Sequence, residues 1–234
     1  MFFQLSNELV FPDPKLSEED GLLAIGGDLS VERLILAYSY GIFPWFNPGE
    51  PILWWSPKER PLFFPGKFKL SKSLKSSIRN KGYEVRFDTC FEDVLDACAS
   101  TPRKEGNATW LSEEMKASYR QLHRLGYAHS VETFLNDELV GGLYGVSLGK
   151  AFFGESMFVR KPDASKIALF ILLENMKDWG FAFVDGQIPT DHMSTIGSEI
   201  IQQESFLEHL DYALSFPDKT GKWTNGIADI SSRV

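Results

Sequence analysis

The spacing of apolar and polar positions changes along the chain, and the change marks its architecture. From Ala128 onward the period is two. AHSVETFL leads to a turn at Asn136-Asp137, ELVGGLYGVSL leads to a turn at Gly149, and KAFFGESMFV completes an antiparallel meander. In this third strand, Lys150 to Val159, alternation puts Phe153, Glu155 and Met157 on one face. Phe152, Gly154, Ser156 and Phe158 take the other. A helix follows, capped by Asp163 and running through IALFILLENM to Trp179, with Gly180 at its end. It is apolar almost all round, so it is expected to be buried. A further strand, Phe181 to Gln187, puts Phe183, Asp185 and Gln187 on one face, the last two roughly 7 Å apart along the strand. A carboxylate among apolar neighbours is costly unless paired. If the two strands are neighbours, Glu155, Asp185 and Gln187 form one polar spot in an apolar wall.

Ahead of the meander the period is helical. Ser30 caps a helix over Val31 to Tyr40 that ends at Gly41, and Ser71 to Lys81 is a second helix. Thr89 to Ala99 is a third, with Thr89 and Glu92 spaced as a capping box. A polar loop, STPRKEGNATW, then leads to a helix starting at Ser112, with Met115, Tyr119 and Leu122 on one face and Gly126 closing it. Behind Gln187, IPTDHMSTIGSE is expected as a loop and Ser205 to Leu214 as a helix; the tail around Trp223 carries no assignable element. Between Gly41 and Pro57, four prolines and two glycines exclude a long helix. Phe43, Trp45, Phe46, Trp54 and Trp55 crowd this stretch, as the core of a small unit or as a stacking platform for bases. The expected class is α+β: a small N-terminal unit over residues 1–60, then a larger one over residues 61–234 with a mixed, largely antiparallel sheet flanked by helices. Helix, meander, helix, strand is also the order of a GNAT-type acyltransferase core.

The length of 234 residues and 43% hydrophobic content allow a proper core. No apolar run is long enough to span a bilayer, and no cationic region precedes the first apolar residues, so a soluble cytoplasmic protein is expected. Cys90 and Cys98 suit neither a zinc site nor a disulfide framework and are expected as buried reduced thiols. The net charge of -8 argues against nucleic acid, but it is uneven. Lys58, Arg60, Lys67, Lys69, Lys72, Lys75, Arg79, Lys81 and Arg86 are opposed only by Glu59 and Glu84. Lys72, Lys75 and Arg79 share one helix face, with Leu74 and Ile78 opposite. With Lys81, they are candidates for phosphate contact.

Motifs narrow the chemistry. The turn before the apolar helix, RKPDASK, lacks the glycines that would hold a coenzyme A pyrophosphate. GESMF lacks the second glycine of a nucleophile elbow, which removes Ser156 as a hydrolase nucleophile. His123, His129, His192 and His209 have no metal-ligand spacing, and no P-loop or dinucleotide fingerprint is present, so neither metal nor cofactor is expected. An acyl group carried on RNA suits what remains: an acyl-transfer scaffold, an aromatic loop, a basic island and an acidic spot. A coenzyme A-dependent GNAT acetyltransferase and a non-catalytic tRNA-binding module are the alternatives.

At this point a resemblance becomes specific. GLLAIGGDLS, AYSYGIFPWFNPGEPILWWSPKER, ATW, HSVE, LVGGLYGV, FFGESMF, ASK and DGQ with DH after it resemble the leucyl/phenylalanyl-tRNA–protein transferase family, over nearly the whole chain and in the family's order. The resemblance implies transfer of Leu or Phe, with Met as a further candidate, from aminoacyl-tRNA to proteins with N-terminal Arg or Lys. This marks them for degradation by the bacterial N-end rule. It also implies a GNAT-like second domain. By the family's pattern, Trp45 and Trp110 match aromatics near the terminal adenosine, and Leu143 sits where a pocket-lining methionine can occur. Glu155, Asp185 and Gln187 match the polar catalytic group. Lys72, Lys75, Arg79 and Lys81 fall in the region that holds the tRNA stem. Phe153 and Phe158 are further substrate-binding candidates. Gly186 stands where other members carry cysteine, so that position is not chemical. Aminolysis of an ester needs no strong base, because an α-amine with pKa near ~8 is partly neutral at pH 7. Gln187 then suits orienting the amine. Asp185 could polarise Gln187 or pair with the cationic acceptor, and Glu155 could do the latter too.

Overall fold

A computed structural model describes residues 2–101, 111–227 and 229–234. The chain runs β1 (Phe3–Leu5), β2 (Leu22–Gly26), α1 (Val31–Ser39), β3 (Phe43–Pro44), β4 (Leu53–Trp55), β5 (Glu59–Phe63), α2 (Lys72–Asn80), β6 (Glu84–Phe87), α3 (Phe91–Ala99) and α4 (Glu113–Arg124). The meander is β7 (Ala128–Leu135), β8 (Glu138–Leu148) and β9 (Ala151–Val159). Then come α5 (Ala164–Trp179), β10 (Phe183–Asp185), α6 (Asp191–Ile196), β11 (Glu199–Gln202) and α7 (Gln203–Leu214).

Local chemistry sets the helix starts. Ser30, Ser71 and Ser112 each accept a bond from the backbone N–H three residues on, satisfying a donor that helix geometry leaves free. Two expected caps work otherwise. Thr89 turns away to donate to Glu132, and the cap position of α3 is Cys90, without a side-chain bond. Asp163 does occupy the cap of α5, but in the left-handed region, and its carboxylate accepts from Ser77 Oγ at 2.7 Å instead of from the helix.

The fold is α+β. One sheet has the order β1-β2-β4-β3. The other has the order β11-β5-β10-β9-β8-β7-β6. In the larger sheet β9 and β10 pair in parallel, and the other neighbours pair antiparallel. Each face of the larger sheet carries an apolar cluster. The cluster holding α5 includes Phe152, Leu169 and Leu172, and the one on the α1 and α4 side includes Tyr38, Tyr119 and Phe153.

Three departures from the sequence expectation shape the site. Strict alternation along β9 fails, because Tyr144 pairs with Ser156 and Gly145 with Gly154, which leaves Glu155 as the extra residue of a β-bulge. Only glycine fits opposite it: a Cβ on Gly145 would lie 2.2 Å from the Phe153 carbonyl oxygen and 2.5 Å from the Phe152 ring. The bulge reverses the facing of everything beyond it, so Phe153 and Phe158 share the α1–α4 cluster. The second departure is that β10 stops at Asp185, and Gln187 lies past the strand at φ 64°. The third is the stretch after Gln187, expected as a loop, which holds α6 and the edge strand β11. β5 was not expected from the sequence, because Arg60 and Pro61 interrupt its apolar pattern.

Candidate active site

Glu155 is the centre of a donor cage. Tyr38 Oη donates to its Oε1 at 2.8 Å, Tyr119 Oη to its Oε2 at 2.5 Å, and Gln187 Nε2 to Oε1 at 2.6 Å. The two tyrosine oxygens are themselves 2.9 Å apart. The bulge aims the carboxylate at α1 and α4, whose buried faces supply the tyrosines. Burial pushes the Glu155 carboxyl up to about 7; its three donors oppose the rise and the Asp185 charge adds to it. Burial also pushes both tyrosine hydroxyls well above their ordinary value, so they stay neutral donors at physiological pH.

Asp185 is fully buried and belongs to Arg60. Arg60 Nε donates to Oδ1 at 3.2 Å and Nη2 donates to Oδ2, a fork-to-carboxylate pair. The Oδ1 atom also accepts the backbone N–H of Gln187 at 2.8 Å. Asp185 and Gln187 therefore do not project side by side. The carboxylate reaches forward to hold the next residue but one in a left-handed turn.

Two cavities meet at this network. The first, about 260 Å³, is apolar and lies between the larger sheet and α5, with Leu143, Phe152, Leu169, Leu172 and Val184 in its wall. The second, about 290 Å³, is framed by Phe43, Trp45, Ile188 and Thr190. Glu155, Gly186, Gln187 and Met193 line both. Of the five rings crowded after Gly41, Trp45 alone is largely exposed, at 41%. Phe43, Phe46 and Trp54 are core, and half-buried Trp55 donates from its indole nitrogen to the Trp45 carbonyl at 2.7 Å.

The expected site residues are thus partly assembled. Glu155, Asp185 and Gln187 come together, Leu143 lines the apolar cavity and Trp45 the adjoining cleft. Phe153 and Phe158 line neither cavity; both are buried in the α1–α4 cluster, Phe153 ahead of the bulge and Phe158 turned to that face by it, and Phe152 and Met157 line the apolar cavity. Trp110 and most of the loop around it lie outside the described residues. Lys72, Arg79 and Lys81 are exposed and Lys75 half-buried on α2 and its C-cap, with Leu74 and Ile78 beneath. The basic island is smaller than its sequence. Arg60 is buried, Lys67 pairs with Glu199, and Arg86 pairs with Glu84 and Asp137. Cys90 is held protonated by burial, which pushes its thiol up to about 12, with the Glu132 charge adding to this.

Sequence reading missed Tyr38, Tyr119, Arg60 and Met193. The tyrosines occupy positions that read as plain apolar helix faces, and Arg60 read as surface charge. Only their pairing partners across the fold reveal them.

The profile of the Leucyl/phenylalanyl-tRNA protein transferase family matches residues 62–211, and that of its N-terminal domain matches residues 27–58. A Leucyl/phenylalanyl-tRNA--protein transferase of Desulfatibacillum aliphaticivorans is 49% identical over 230 residues, covering 97% of this chain and 99% of its own. One from Thermodesulfovibrio yellowstonii is 51% identical, covering 94% and 90% respectively. Among solved structures, a GCN5-related N-acetyltransferase from Sphaerobacter thermophilus covers 80% of this chain and 60% of its own at 16% identity and a TM-score of 0.35, too loose to assign a fold family. L-PGS from Bacillus licheniformis is similarly distant, at 16% identity, 70% and 51% coverage and a TM-score of 0.38. With half of its residues shared over nearly the full length of such relatives, the chain belongs to the leucyl/phenylalanyl-tRNA–protein transferase family.

Proposed function

We propose that this chain moves Leu or Phe from aminoacyl-tRNA to the α-amine of proteins beginning with Arg or Lys, in the cytoplasm, marking them for degradation. The coarser statement, an aminoacyl-tRNA-dependent protein acyltransferase, follows from its family. The observation that carries the finer reading is the meeting of an apolar cavity with a Trp45-lined cleft at Glu155 and Gln187. In this reading residues 1–60 supply the ring for the terminal adenosine, and residues 61–234 supply the amino-acid pocket and the chemistry.

The apolar cavity takes the Leu or Phe side chain, with Leu143 in its wall, and Trp45 stacks the adenine. The donor ester then lies at the junction. Gln187 turns its NH₂ to Glu155, which leaves its carbonyl oxygen to accept an N–H of the incoming amine. The amine nitrogen attacks the ester carbonyl carbon and the bond to the ribose oxygen breaks. The proton shed by nitrogen passes to Glu155, whose pKa near 7 suits taking and returning it. The ribose oxygen leaves with that proton, aided by its neighbouring hydroxyl. Positioning supplies most of the acceleration, since ester aminolysis is already downhill. Lys72, Lys75, Arg79 and Lys81 contact tRNA phosphates.

The test is transfer of labelled Leu or Phe from charged tRNA to peptides that differ only in their first residue. Transfer confined to Arg and Lys acceptors, and abolished by ribonuclease, is expected. Transfer indifferent to the first residue removes the acceptor assignment.

A further inference from the structure

We propose that Arg60 is a positioning residue for the transfer step, acting through Asp185 to hold Gln187 in its working orientation. Arg60 and Asp185 are both fully buried. Arg60 spends each end of its guanidinium fork on a different segment. Nε and Nη2 grip the Asp185 carboxylate at the end of β10, and Nη1 donates to the Gly41 carbonyl at 2.6 Å, beyond α1. The guanidinium carbon lies 4.0 Å from the centre of the Phe206 ring and 5.3 Å from that of Phe43, which fixes its plane. A lysine ammonium is a point charge and cannot reproduce this planar grip.

The carboxylate so gripped has one remaining task. Its Oδ1 accepts the Gln187 N–H, and Gln187 sits at φ 64°, a conformation that non-glycine residues adopt only when their surroundings hold them there. Asp185 is therefore not available as a partner for a cationic acceptor, because its charge is already paired with the Arg60 guanidinium. A buried ion pair is weak as a stabilising device, since apolar residues of equal volume often do as well. What the pair supplies here is direction: it aims one carboxylate oxygen at one backbone N–H, and so sets where the Gln187 amide meets Glu155.

The proposal rests on the reading that Gln187 receives the amine. The test is a cycle of Arg60→Lys and Gln187→Ala, with kcat and KM for charged tRNA measured alongside melting by circular dichroism. Arg60→Lys is expected to lower kcat by about tenfold or more with KM within about twofold. In the Gln187→Ala background it is expected to lower kcat by less than about twofold, because the group it positions is gone. An equal loss in both backgrounds, or wild-type kcat in Arg60→Lys, overturns the proposal. If Arg60→Lys does not fold, Arg60→Gln combined with Asp185→Asn removes both charges together; the same kcat loss is expected, and unchanged kcat overturns the proposal. Full activity in Gln187→Ala itself defeats the reading of Gln187 and Arg60 with it. A slow Gln187→Ala with an independent Arg60 effect defeats only the role of Arg60.

Discussion

Gln187 and Glu155 are joined by a single bond of 2.6 Å, from amide nitrogen to carboxylate oxygen. An ionised carboxylate only accepts, so the bond decides which end of the amide faces the junction of the two cavities. Gln187→Ala removes the proposed acceptor for the incoming amine and is expected to lower kcat by roughly 10- to 100-fold, with KM for charged tRNA little changed. Gln187→Glu sets a second carboxylate against the first. Like charges resist ionising together, so activity is expected to survive only at higher pH. Single-turnover transfer to an Arg-initiated peptide across a pH series distinguishes the two outcomes.

The pH dependence has a definite sign. Burial raises Glu155 to about 7, and the proposed step uses its ionised form, so kcat is expected to fall as pH drops through about 7. The acceptor amine adds a second limb near ~8. Glu155→Gln is expected to lose the lower limb and keep the upper one. A Glu155→Gln profile with the wild-type lower limb shows that another group titrates there.

Much of this was legible in the sequence because it was periodic. The meander, the buried α5 and the serine caps of α1, α2 and α4 follow from spacing and from caps at the expected positions. Of the expected polar group, Glu155, Asp185 and Gln187 do lie together, but their geometry and their partners Tyr38, Tyr119 and Arg60 were not legible. A bulge adds one residue without changing the apolar pattern, so strict alternation set Phe153 and Met157 on one face and Phe158 on the other, whereas Phe153 and Phe158 share the α1–α4 cluster and Met157 lines the apolar cavity. Asp185 and Gln187 at a spacing of two suited a continuing strand, and nothing local announces that Gln187 turns left-handed to meet Asp185. Arg60 carries the same letter whether solvated or buried, and its partner lies 125 residues away in sequence.

Tyr38 and Tyr119 both donate to Glu155, and both are fully buried. Removing either hydroxyl takes a donor from the ionised carboxylate, so its pKa rises further and the lower limb of the kcat profile moves to higher pH. Each Phe substitution is also expected to cost about 1.5–3 kcal/mol in unfolding free energy where the carboxylate is ionised. The two oxygens are 2.9 Å apart, so the double variant should not show the sum of the single effects. Urea unfolding and pH–rate profiles of the three variants test both statements.

Asp185→Ala strands the Arg60 guanidinium without a counter-charge in a fully buried place. Breaking one side of a buried pair costs about 3–5 kcal/mol, and this is the loss expected in chemical denaturation. Asp185→Asn keeps an oxygen for the Gln187 N–H and should lose less. Equal and small losses in the two variants show that the pair contributes little to the fold.

Contact with tRNA is testable through salt. Lys72 and Lys81 are exposed on the α2 side of the molecule and form no ion pair among the described residues, and Lys75 lies half-buried between them. Arg86 neighbours them in sequence but pairs with Glu84 and Asp137, which leaves it little charge to offer a phosphate. Arg79 is exposed and donates to the Val234 main-chain oxygen. Each phosphate contact releases condensed counterions, so losing one lowers the slope of log K against log salt by about one. Lys72→Ala and Lys81→Ala should each show that change, and Arg86→Ala should show none. In the proposed arrangement these residues meet the stem and not the ester, so the variants should raise KM for charged tRNA and leave kcat near wild type at saturation. A flat slope response in both lysine variants, with Arg86→Ala equally silent, takes α2 out of the tRNA interface.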